Sequence, residues 1–418
     1  MTFQTVLLLF AFLLVLATVV QGVAAIVDGL RAHRYFRRAI VDAPALFDAA
    51  GDFAYQPKVA VIMPCKGVDE KLKHTVEMLG RQRFRDYEVI FAFESDTDAA
   101  YSAVSEWTRD WARPHRLVVA GLASQRSQKI HNLLAALDQI SADREVLVFV
   151  DSDAEPAENW IGYLVAPLKD EAIGATTGYR WYRATGGIAA GVRSTWNAGT
   201  TVKLHDEHLS FCWGGSTAMR RARFESLDMR RYWDRALSDD LQMTRAIREA
   251  GLLVHFVPQA LVVSSDRTTL REFWSFAHRQ IVISRICVPH LWRWGLVYCL
   301  GFLVGGTAAA VVAITGLLGW HDSATAMWLG MAGWAVILVL AGARAVIRQF
   351  SLRLVLAPFL TWRDFCWDVF GTITFAGAMH SHLLVSSMFT RRFVWRNVEY
   401  EMISPDETRI VRRFNPTV

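Results

Sequence analysis

A short apolar segment that runs directly into two acids constrains the fold of this chain most strongly. Residues 146–150 are all apolar and rich in valine, and Asp151 and Asp153 follow with one serine between them. A continuous apolar run of this length is typical of a strand that is buried on both faces of a sheet. Open α/β sheets bind their ligands outside the carboxyl ends of the strands. The segment therefore predicts a central strand with two carboxylates at a ligand-binding edge.

The chain before this strand alternates between apolar strand-like segments and helix-like segments. Residues 59–63, 87–93 and 117–119 predict three further strands, and helices are predicted across residues 70–81 and from Gln128. This alternation is typical of a parallel, doubly wound α/β sheet. The second strand ends in the acidic residues 94–98, which would lie at the same edge of the sheet as Asp151. The sequence has no G-x-G-x-x-G and no P-loop motif, so it supports neither a dinucleotide-binding fold nor a P-loop enzyme.

The segment after residue 170 adds two further candidate groups. Residues 174–182 predict a strand, and residues 211–219 place Trp213 beside Gly214 and Gly215. Two glycines would let a substrate approach the backbone closely, although a plain turn is the alternative. Asp239 and Asp240 begin a predicted helix that extends to residue 250. Acids in a first helical turn can also be caps favoured by the helix dipole, so both interpretations stay open.

Long apolar segments flank this α/β region. Residues 3–27 are long enough to span a membrane, and four arginines follow them, which predicts a cytoplasmic location for the next segment. Residues 296–318 and 324–343 predict two more spans joined by an outward-facing link at residues 321–323. The apolar run 370–389 has arginines on both sides, which favours a re-entrant hairpin or a partial span that also uses residues 354–360. The sequence predicts a multi-pass integral membrane protein, placed in a bacterial inner membrane with its α/β domain in the cytoplasm.

Composition supports the membrane assignment and narrows the range of partners. Hydrophobic residues make up 53% of the chain and 16 residues are tryptophan, which is enriched at membrane interfaces. The net charge is +5, and the basic residues lie beside the apolar spans, so we expect contact with anionic lipid and no nucleic-acid partner. The five cysteines form no C-x-x-C pair, which argues against structural zinc and against a disulfide framework.

These patterns divide the chain into five predicted segments. The predicted segments are an N-terminal transmembrane helix (1–30), a linker (31–56), a cytoplasmic α/β domain (57–290) with a membrane-surface helix near 268–290, C-terminal transmembrane or re-entrant helices (291–390), and a cytoplasmic tail (391–418).

Several short motifs, in their order along the chain, resemble those of one enzyme family. Residues 61–69, VIMPCKGVD, are similar to its first strand and Lys-Gly-Val-Asp turn, and residues 129–133 match its K-x-x-N-L. Asp151-Ser152 matches its Asp-Ser, Asp239-Asp240 takes the place of its Glu-Asp pair, and residues 395–400 are similar to its closing W-R-x-x-x-Y. The chain thus resembles the membrane-bound inverting glycosyltransferases of family 2, and within them most closely the ceramide glucosyltransferase branch, family 21. The family ends its catalytic domain with a [Q/R]-x-x-R-W motif. In this chain the best match is residues 276–280, which keep only the arginine, Arg279.

The resemblance implies a GT-A fold and an inverting, metal-dependent transfer of a hexose from a UDP-sugar to a ceramide-like or related membrane lipid at the cytoplasmic leaflet. Carboxylate oxygens of the Asp-Ser-Asp type suit Mg²⁺ or Mn²⁺, which would neutralise a diphosphate leaving group. The implied roles are nucleotide-sugar binding for Lys66, Glu94, Asp96, Lys129 and Asp151; metal binding for Asp153; catalysis for Asp239, Arg279 and Asp240, the general base; and acceptor binding for Trp213, Gly214, Gly215, Trp274, His278 and Gln280.

Two other functions remain open at the level of sequence. A processive polysaccharide synthase would need a pore, for which one N-terminal span and about three C-terminal spans look too few. A membrane scaffold built on an inactive GT-A domain is the other alternative, which the altered motif around Arg279 permits. The α/β domain retains acidic residues at all three expected positions, which favours an enzyme over an inactive scaffold. These positions are residues 94–98, 151–153 and 239–240.

Overall fold

A computed structural model describes residues 3–265, 267–320 and 324–414 of the chain. The chain forms two compact units. We call Arg38–Tyr182, Lys203–Ser264 and Arg391–Val418 the sheet unit, and Met1–Arg37, Arg183–Val202 and Ser265–Thr390 the helical unit. This partition differs from the predicted segments, because residues 183–202 and 265–290 group with the membrane helices and the C-terminal tail groups with the sheet.

The sheet unit is built on one seven-stranded sheet with a two-stranded sheet beside it. The large sheet has the order β3-β2-β1-β4-β7-β5-β8, and β6 pairs with β9. The nine strands are β1 (Val59–Pro64), β2 (Tyr87–Phe93), β3 (His115–Val119), β4 (Val146–Val150), β5 (Ile173–Thr177), β6 (Arg180–Tyr182), β7 (Ser216–Arg220), β8 (Leu253–Phe256) and β9 (Val262–Ser264).

The predicted α/β class is confirmed, with one antiparallel strand that the sequence did not indicate. Strands β1 to β4 are mutually parallel, as expected, but β7 runs antiparallel to both β4 and β5. The strand predicted over residues 174–182 is divided into β5 and β6 at Gly178. A Cβ atom at Gly178 would lie 2.1 Å from the carbonyl oxygen of Ala260, so the chain can make this crossing only with glycine.

The part of the chain that the structure describes contains fourteen α-helices. They are α1 (Phe3–Asp42), α2 (Glu70–Gly80), α3 (Ala99–Thr108), α4 (Gln128–Leu137), α5 (Trp160–Val165), α6 (Ile188–Thr201), α7 (Arg221–Ser226), α8 (Met229–Trp233), α9 (Asp239–Glu249), α10 (Leu270–Cys287), α11 (Pro289–Leu317), α12 (Ala324–Leu356), α13 (Trp362–Thr374) and α14 (Ala376–Ser386).

The helices of the sheet unit cover both faces of the large sheet. Alternate residues of β1 face opposite sides, so Val61 joins the core under α2, α3 and α5, whereas Ile62 joins the core under α4, α8 and α9. Both cores consist of buried aliphatic and aromatic side chains. This two-sided burial explains why the central strands are continuously apolar, and it matches the doubly wound arrangement expected from the sequence.

The C-terminal residues form a small antiparallel sheet within the sheet unit. Its strands are β10 (Arg392–Trp395), β11 (Val398–Ser404) and β12 (Glu407–Arg413). Arg396 and Asn397 join the first two strands with φ angles of 48° and 63°. Two-residue hairpin turns of this kind need positive φ at both positions and usually carry glycine. Arginine at the first position gives no such signal, so the sequence predicted only a tail.

Among the described residues, three helices are long and apolar enough to cross a membrane. They lie in Phe3–Leu46, Pro289–Leu317 and Ala324–Leu356. The third C-terminal apolar run, residues 370–389, begins in α13 and continues into α14, and Phe375 separates these helices of 13 and 11 residues. The re-entrant hairpin remains a prediction. The link at residues 321–323, predicted to face outward, lies outside the described residues.

Candidate active site

The carboxyl ends of β1 and β2 carry the first pair of predicted site residues. Lys66 follows β1 and Glu94 follows the neighbouring β2, and the lysine Nζ lies 2.7 Å from a carboxylate oxygen of the glutamate. Both side chains are partly buried. Asp96 is exposed, and its carboxylate accepts a long hydrogen bond of 3.4 Å from the adjacent Ser95. Glu94 is therefore the acid that belongs to the strand edge, whereas Asp96 extends from the loop beyond it.

Lys129 lies at the centre of the candidate site. It occupies the first turn of α4, which Ser127 caps by accepting a hydrogen bond from a backbone N–H of that turn. The ammonium of Lys129 lies 2.9 Å from Asp151 and 3.0 Å from Asp239. It also donates to the carbonyl of Gly214 over 3.4 Å. Three residues from separate segments, all predicted as site residues, thus converge on the amine of Lys129.

The pKa values of Lys129 and Asp239 are both raised in this cluster. Burial alone would lower the pKa of the Lys129 ammonium, but the carboxylates of Asp151, Asp239 and Asp240 raise it above its ordinary value. Asp239 is 4% exposed, and burial raises its pKa to about 6 although Lys129 opposes the shift. Lys129 therefore stays charged, and Asp239 becomes ionised only near neutral pH.

Gly214 and Gly215 are required by the close packing of this cluster. A Cβ atom at Gly214 would lie 2.5 Å from both the Asp239 carboxylate and the Lys129 ammonium. A Cβ atom at Gly215 would lie 2.3 Å from the Trp213 ring and 2.9 Å from Asp151. The groups that approach these glycines are the protein's own site residues, and the approach of a substrate to their backbone remains a prediction.

Asp240 lies next to Asp239 but has a different environment. Its carboxylate accepts hydrogen bonds from the Ser238 hydroxyl and from the backbone N–H of Leu241, and its other oxygen accepts from the backbone N–H of Gly214 at 3.1 Å. Asp240 is only partly buried. A carboxylate has about four acceptor positions, so three bonds leave capacity for one more donor. Asp240 is thus held in position and can still meet a ligand.

Asp153 pairs with an arginine that the sequence did not single out. Arg180, the first residue of β6, donates to the two oxygens of the Asp153 carboxylate at 2.8 Å and 2.6 Å. Its guanidinium lies over the ring of Trp213, 5.1 Å from the centroid. Burial would raise the pKa of Asp153, but the positive charge of Arg180 lowers it. The Arg180–Asp153 pair is a two-pronged ion pair, the strongest geometry for such a contact.

The residues around Asp153 do not match the usual ligand set of a divalent cation. Both carboxylate oxygens of Asp153 are taken by Arg180, and Asp151 is paired with Lys129. Within residues 3–265, 267–320 and 324–414, no group of three His, Cys, Asp or Glu side chains could hold a metal ion. A cation at Asp153 would have to displace a guanidinium, so the predicted role of Asp153 as a metal ligand remains a prediction.

The other predicted site residues lie on α10 in the helical unit. Trp274 packs against the His382 ring at a centroid distance of 4.9 Å, and the Arg279 guanidinium lies over the Phe276 ring at 5.5 Å. Trp274 is exposed, whereas His278, Arg279 and Gln280 are partly buried. Their predicted roles at the acceptor and at the diphosphate remain predictions.

The small C-terminal sheet supports the helices that carry the cluster. The Tyr400 hydroxyl accepts a hydrogen bond from the first N–H of α4, at Gln128, over 3.2 Å. Arg413 donates to the carbonyl of Ala123 at 2.8 Å, and Asp406 pairs with Arg245 of α9 at 2.7 Å. One element thus contacts both α4, which carries Lys129, and α9, which carries Asp239 and Asp240. The W-R-x-x-x-Y motif was the only sequence signal of this element.

Comparison with solved structures gives distant similarities. The chain is similar to the mannosyltransferase PcManGT from Pyrobaculum calidifontis in complex with GDP-Man and Mn²⁺, at 16% identity over 89% of this chain and 98% of the other, with a TM-score of 0.44. It is also similar to glucosyl-3-phosphoglycerate synthase from Mycobacterium tuberculosis in complex with Mn²⁺, uridine diphosphate and glucosyl-3-phosphoglycerate, at 16% identity over 54% of this chain and 78% of the other, with a TM-score of 0.38. No curated protein matches the sequence.

The family model described as glycosyl transferase family 21 matches residues 16–407, which is most of the chain. The match includes both units and ends within the small C-terminal sheet. It confirms the family expected from the sequence motifs, and it agrees with an α/β sheet in which Asp151 follows β4 and pairs with Lys129 of α4. The chain therefore belongs to glycosyl transferase family 21 and is a glycosyltransferase.

Proposed function

We propose that this protein transfers a hexose from a UDP-sugar to a hydroxyl group of a membrane lipid, with inversion at the anomeric carbon. The observation that carries the proposal is the cluster in which Lys129 joins Asp151 and Asp239 beside the partly open Asp240. Family membership supports sugar transfer. The three long apolar helices in the same chain favour an acceptor that resides in a membrane.

The donor is proposed to bind across the strand ends of the sheet unit. Glu94, held by Lys66 at 2.7 Å, would contact the nucleoside, and Asp151 would orient the ribose or the sugar. Lys129 stays charged because three carboxylates raise its pKa, so it would attract the diphosphate while it fixes Asp151. Asp96 is a second candidate for the nucleoside contact, reached from the exposed loop.

Asp240 is proposed as the general base on the acceptor hydroxyl. Asp239 is enclosed and paired with Lys129, so an acceptor would not reach it, whereas Asp240 is partly exposed and retains acceptor capacity. In the proposed step, the acceptor oxygen bonds to the anomeric carbon while its proton moves to Asp240. The bond from that carbon to the diphosphate breaks, and its electron pair leaves with the diphosphate. A single displacement of this kind inverts the anomeric centre.

The lipid is proposed to be ceramide-like, or another glycolipid precursor, presented at the cytoplasmic leaflet of a bacterial inner membrane. The exposed Trp274 and the neighbouring polar residues of α10 are proposed acceptor contacts, and Arg279 is proposed to act at the diphosphate. Trp213, Gly214 and Gly215 form the wall of the cluster and would limit the size of the acceptor. The proposed step uses no divalent cation, because both carboxylate oxygens of Asp153 accept hydrogen bonds from Arg180.

The proposal is tested with the purified full-length protein in detergent. The protein is given labelled UDP-sugars, one at a time, together with a total membrane lipid extract, and the lipid fraction is analysed by mass spectrometry. A lipid that gains one hexose supports the proposal and identifies the acceptor. A polymer of many sugars would instead indicate a processive synthase. The absence of any labelled product with every UDP-sugar tested would contradict the proposed donor.

A further inference from the structure

Asp153 is engaged by Arg180 in a way that leaves little room for a metal ion. In addition to its two contacts with the carboxylate, Arg180 donates to the backbone carbonyl of Asp153 at 3.3 Å. The Arg180 side chain is 9% exposed and its guanidinium lies over the rings of Trp213 and Tyr182, at 5.1 Å and 5.7 Å. The arginine is therefore fixed by aromatic packing as well as by charge.

Two further basic residues lie near Asp153. Burial alone would raise the pKa of Asp153, but Arg180, Lys71 and Arg396 all lie near enough to lower it. Glu155 is the other acid of this group, and it is acted on by Lys71 and Arg180 as well. Asp151 also acts on Arg180, so three cations and three carboxylates lie in this group, and Asp151 is itself paired with Lys129. The cations beside Asp153 favour an anion such as a diphosphate and oppose the binding of an added divalent cation.

We propose that Arg180 occupies the position beside Asp153 that a divalent cation would take, and that this protein transfers sugar without a metal ion. The inference rests on the proposed function for its substrate. Asp153 then serves as the positioning residue of Arg180. The leaving diphosphate receives the electron pair of the broken bond to the anomeric carbon, and its charge is balanced by Arg180 together with Lys71 and Arg396. The proton of the acceptor still moves to Asp240.

The first test compares transfer by the full-length protein in excess EDTA with transfer in Mn²⁺. We expect the two rates to agree within about twofold, because the neutralising charges belong to the protein. A loss of about tenfold or more in EDTA that Mn²⁺ restores would overturn the inference. No transfer in either condition, with no binding of labelled UDP, would contradict the proposed donor and leave the inference to the metal-binding test.

The second test measures Mn²⁺ binding to the donor-free protein by electron paramagnetic resonance, which needs no turnover. We expect the wild-type protein to bind no Mn²⁺ at this site and Arg180→Ala to gain a site, because the substitution releases both oxygens of Asp153. The double variant Arg180→Ala/Asp153→Asn should lose that site again. Mn²⁺ bound by the wild-type protein and lost in Asp153→Asn would show that the arginine yields to the metal.

A matched variant guards against loss of folding in Arg180→Ala. Arg180→Lys keeps the positive charge but cannot make the two-pronged contact, so it should retain EDTA-resistant transfer at a reduced rate and bind no Mn²⁺. In Arg180→Ala, transfer in EDTA should fall about tenfold or more, and Mn²⁺ should restore part of it. Equal metal independence in wild type and Arg180→Ala would show that Arg180 is not the neutralising group.

Discussion

Two arginine–aspartate pairs in different units of this protein show how the same contact can serve different purposes. In the helical unit, Arg348 donates to both oxygens of Asp368, and the exposed fractions of the two side chains are 3% and 0%. In the sheet unit, Arg180 makes the same two-pronged contact with Asp153, with exposed fractions of 9% and 28%. One pair is closed to solvent, and the other leaves its carboxylate partly open.

The partners of the two pairs extend this difference. Gln349 donates to Asp368 at 2.8 Å, and Thr372 accepts from Arg348 at 2.9 Å, so polar neighbours complete the closed pair. The open pair lies among further charges instead. The enclosed pair Arg348–Asp368 joins α12 to α13 and has a structural role. The partly exposed pair Arg180–Asp153 lies among other charged residues and can act on a ligand. Exposure of the carboxylate, rather than the pairing itself, therefore separates the two roles.

We expect the largest loss of transfer activity from substitution of Asp240, whose carboxylate is partly exposed. Asp240→Asn should lower transfer about 10²- to 10⁴-fold, because the amide cannot accept the acceptor's proton. Its thermal unfolding should stay close to that of the wild type, since an amide oxygen can keep the hydrogen bond from Gly214. Transfer and unfolding are measured on the same detergent preparation, with labelled UDP binding as a check that the donor site persists.

Asp138→Asn is the matched control for this variant. Asp138 lies in the same unit and forms an exposed ion pair with Arg230 at 2.7 Å. Exposed pairs contribute at most about 1 kcal/mol, so transfer and unfolding should both be nearly unchanged. If Asp240→Asn turns over at the wild-type rate, Asp240 is not the base. Exposure of a carboxylate would then not indicate a catalytic role in this protein.

The sequence predicted neither arginine–aspartate pair, but it did predict several acids of the site. The strand before Asp151, the acidic end of β2 and the pair Asp239-Asp240 were recognisable because each signal lies within a few residues. Strand ends in a parallel sheet meet at one edge, so local signals were enough to predict that the acids after β2 and β4 share that edge. The seven-stranded sheet was predicted for β1 to β4 for the same reason. The site roles of Lys129, Asp239 and Asp240 came from the family resemblance.

The partners that were missed lie far from their contacts in the sequence. Arg180 follows Asp153 by 27 residues, and Tyr400 contacts Gln128 across 272 residues. No local pattern encodes such a contact, although an arginine between two aromatic residues in a predicted buried strand already indicates a need for an acidic partner. The antiparallel β7 was missed because alternation of strands and helices does not specify strand direction once the connections become irregular.

The second effect is expected at the closed pair. Arg348→Met should reduce the free energy of unfolding by about 3–5 kcal/mol, because it leaves the Asp368 carboxylate buried without its counter-ion. Transfer per folded molecule should change little, which is the reverse of the Asp240→Asn result. Thermal unfolding in detergent measures the first quantity, and turnover normalised to the folded fraction measures the second.

The double variant Arg348→Met/Asp368→Leu separates charge from packing in the closed pair. Removing both charges should restore much of the lost stability, since an apolar pair of similar volume can replace a buried ion pair. A double variant as unstable as Arg348→Met alone would indicate that geometry around α12 and α13, rather than the uncompensated charge, causes the loss. A large drop in turnover at unchanged stability would make the closed pair functional and contradict the comparison.

Asp239 combines features of the structural and the functional acids, because it is buried yet lies in the candidate active site. Its pKa is raised from 3.8 to about 6 in the folded protein, first by burial. The folded state therefore holds this proton more tightly than the unfolded state, so the contribution of Asp239 to stability is largest below pH 4 and is lost as the pH rises through 6. A shift of this size corresponds to a loss on the order of 3 kcal/mol.

Asp239→Asn mimics the protonated side chain and should remove this dependence. The difference in unfolding free energy between variant and wild type should grow in favour of the variant from pH 4 to pH 7 and then level off, because groups elsewhere titrate equally in both proteins. Chemical unfolding in detergent at several pH values gives the difference directly. If the unfolding free energies of variant and wild type change with pH in parallel, Lys129 keeps Asp239 ionised at every pH tested. Asp239 would then resemble Asp368, a structural acid whose charge is balanced by its partner and does not reduce stability at neutral pH.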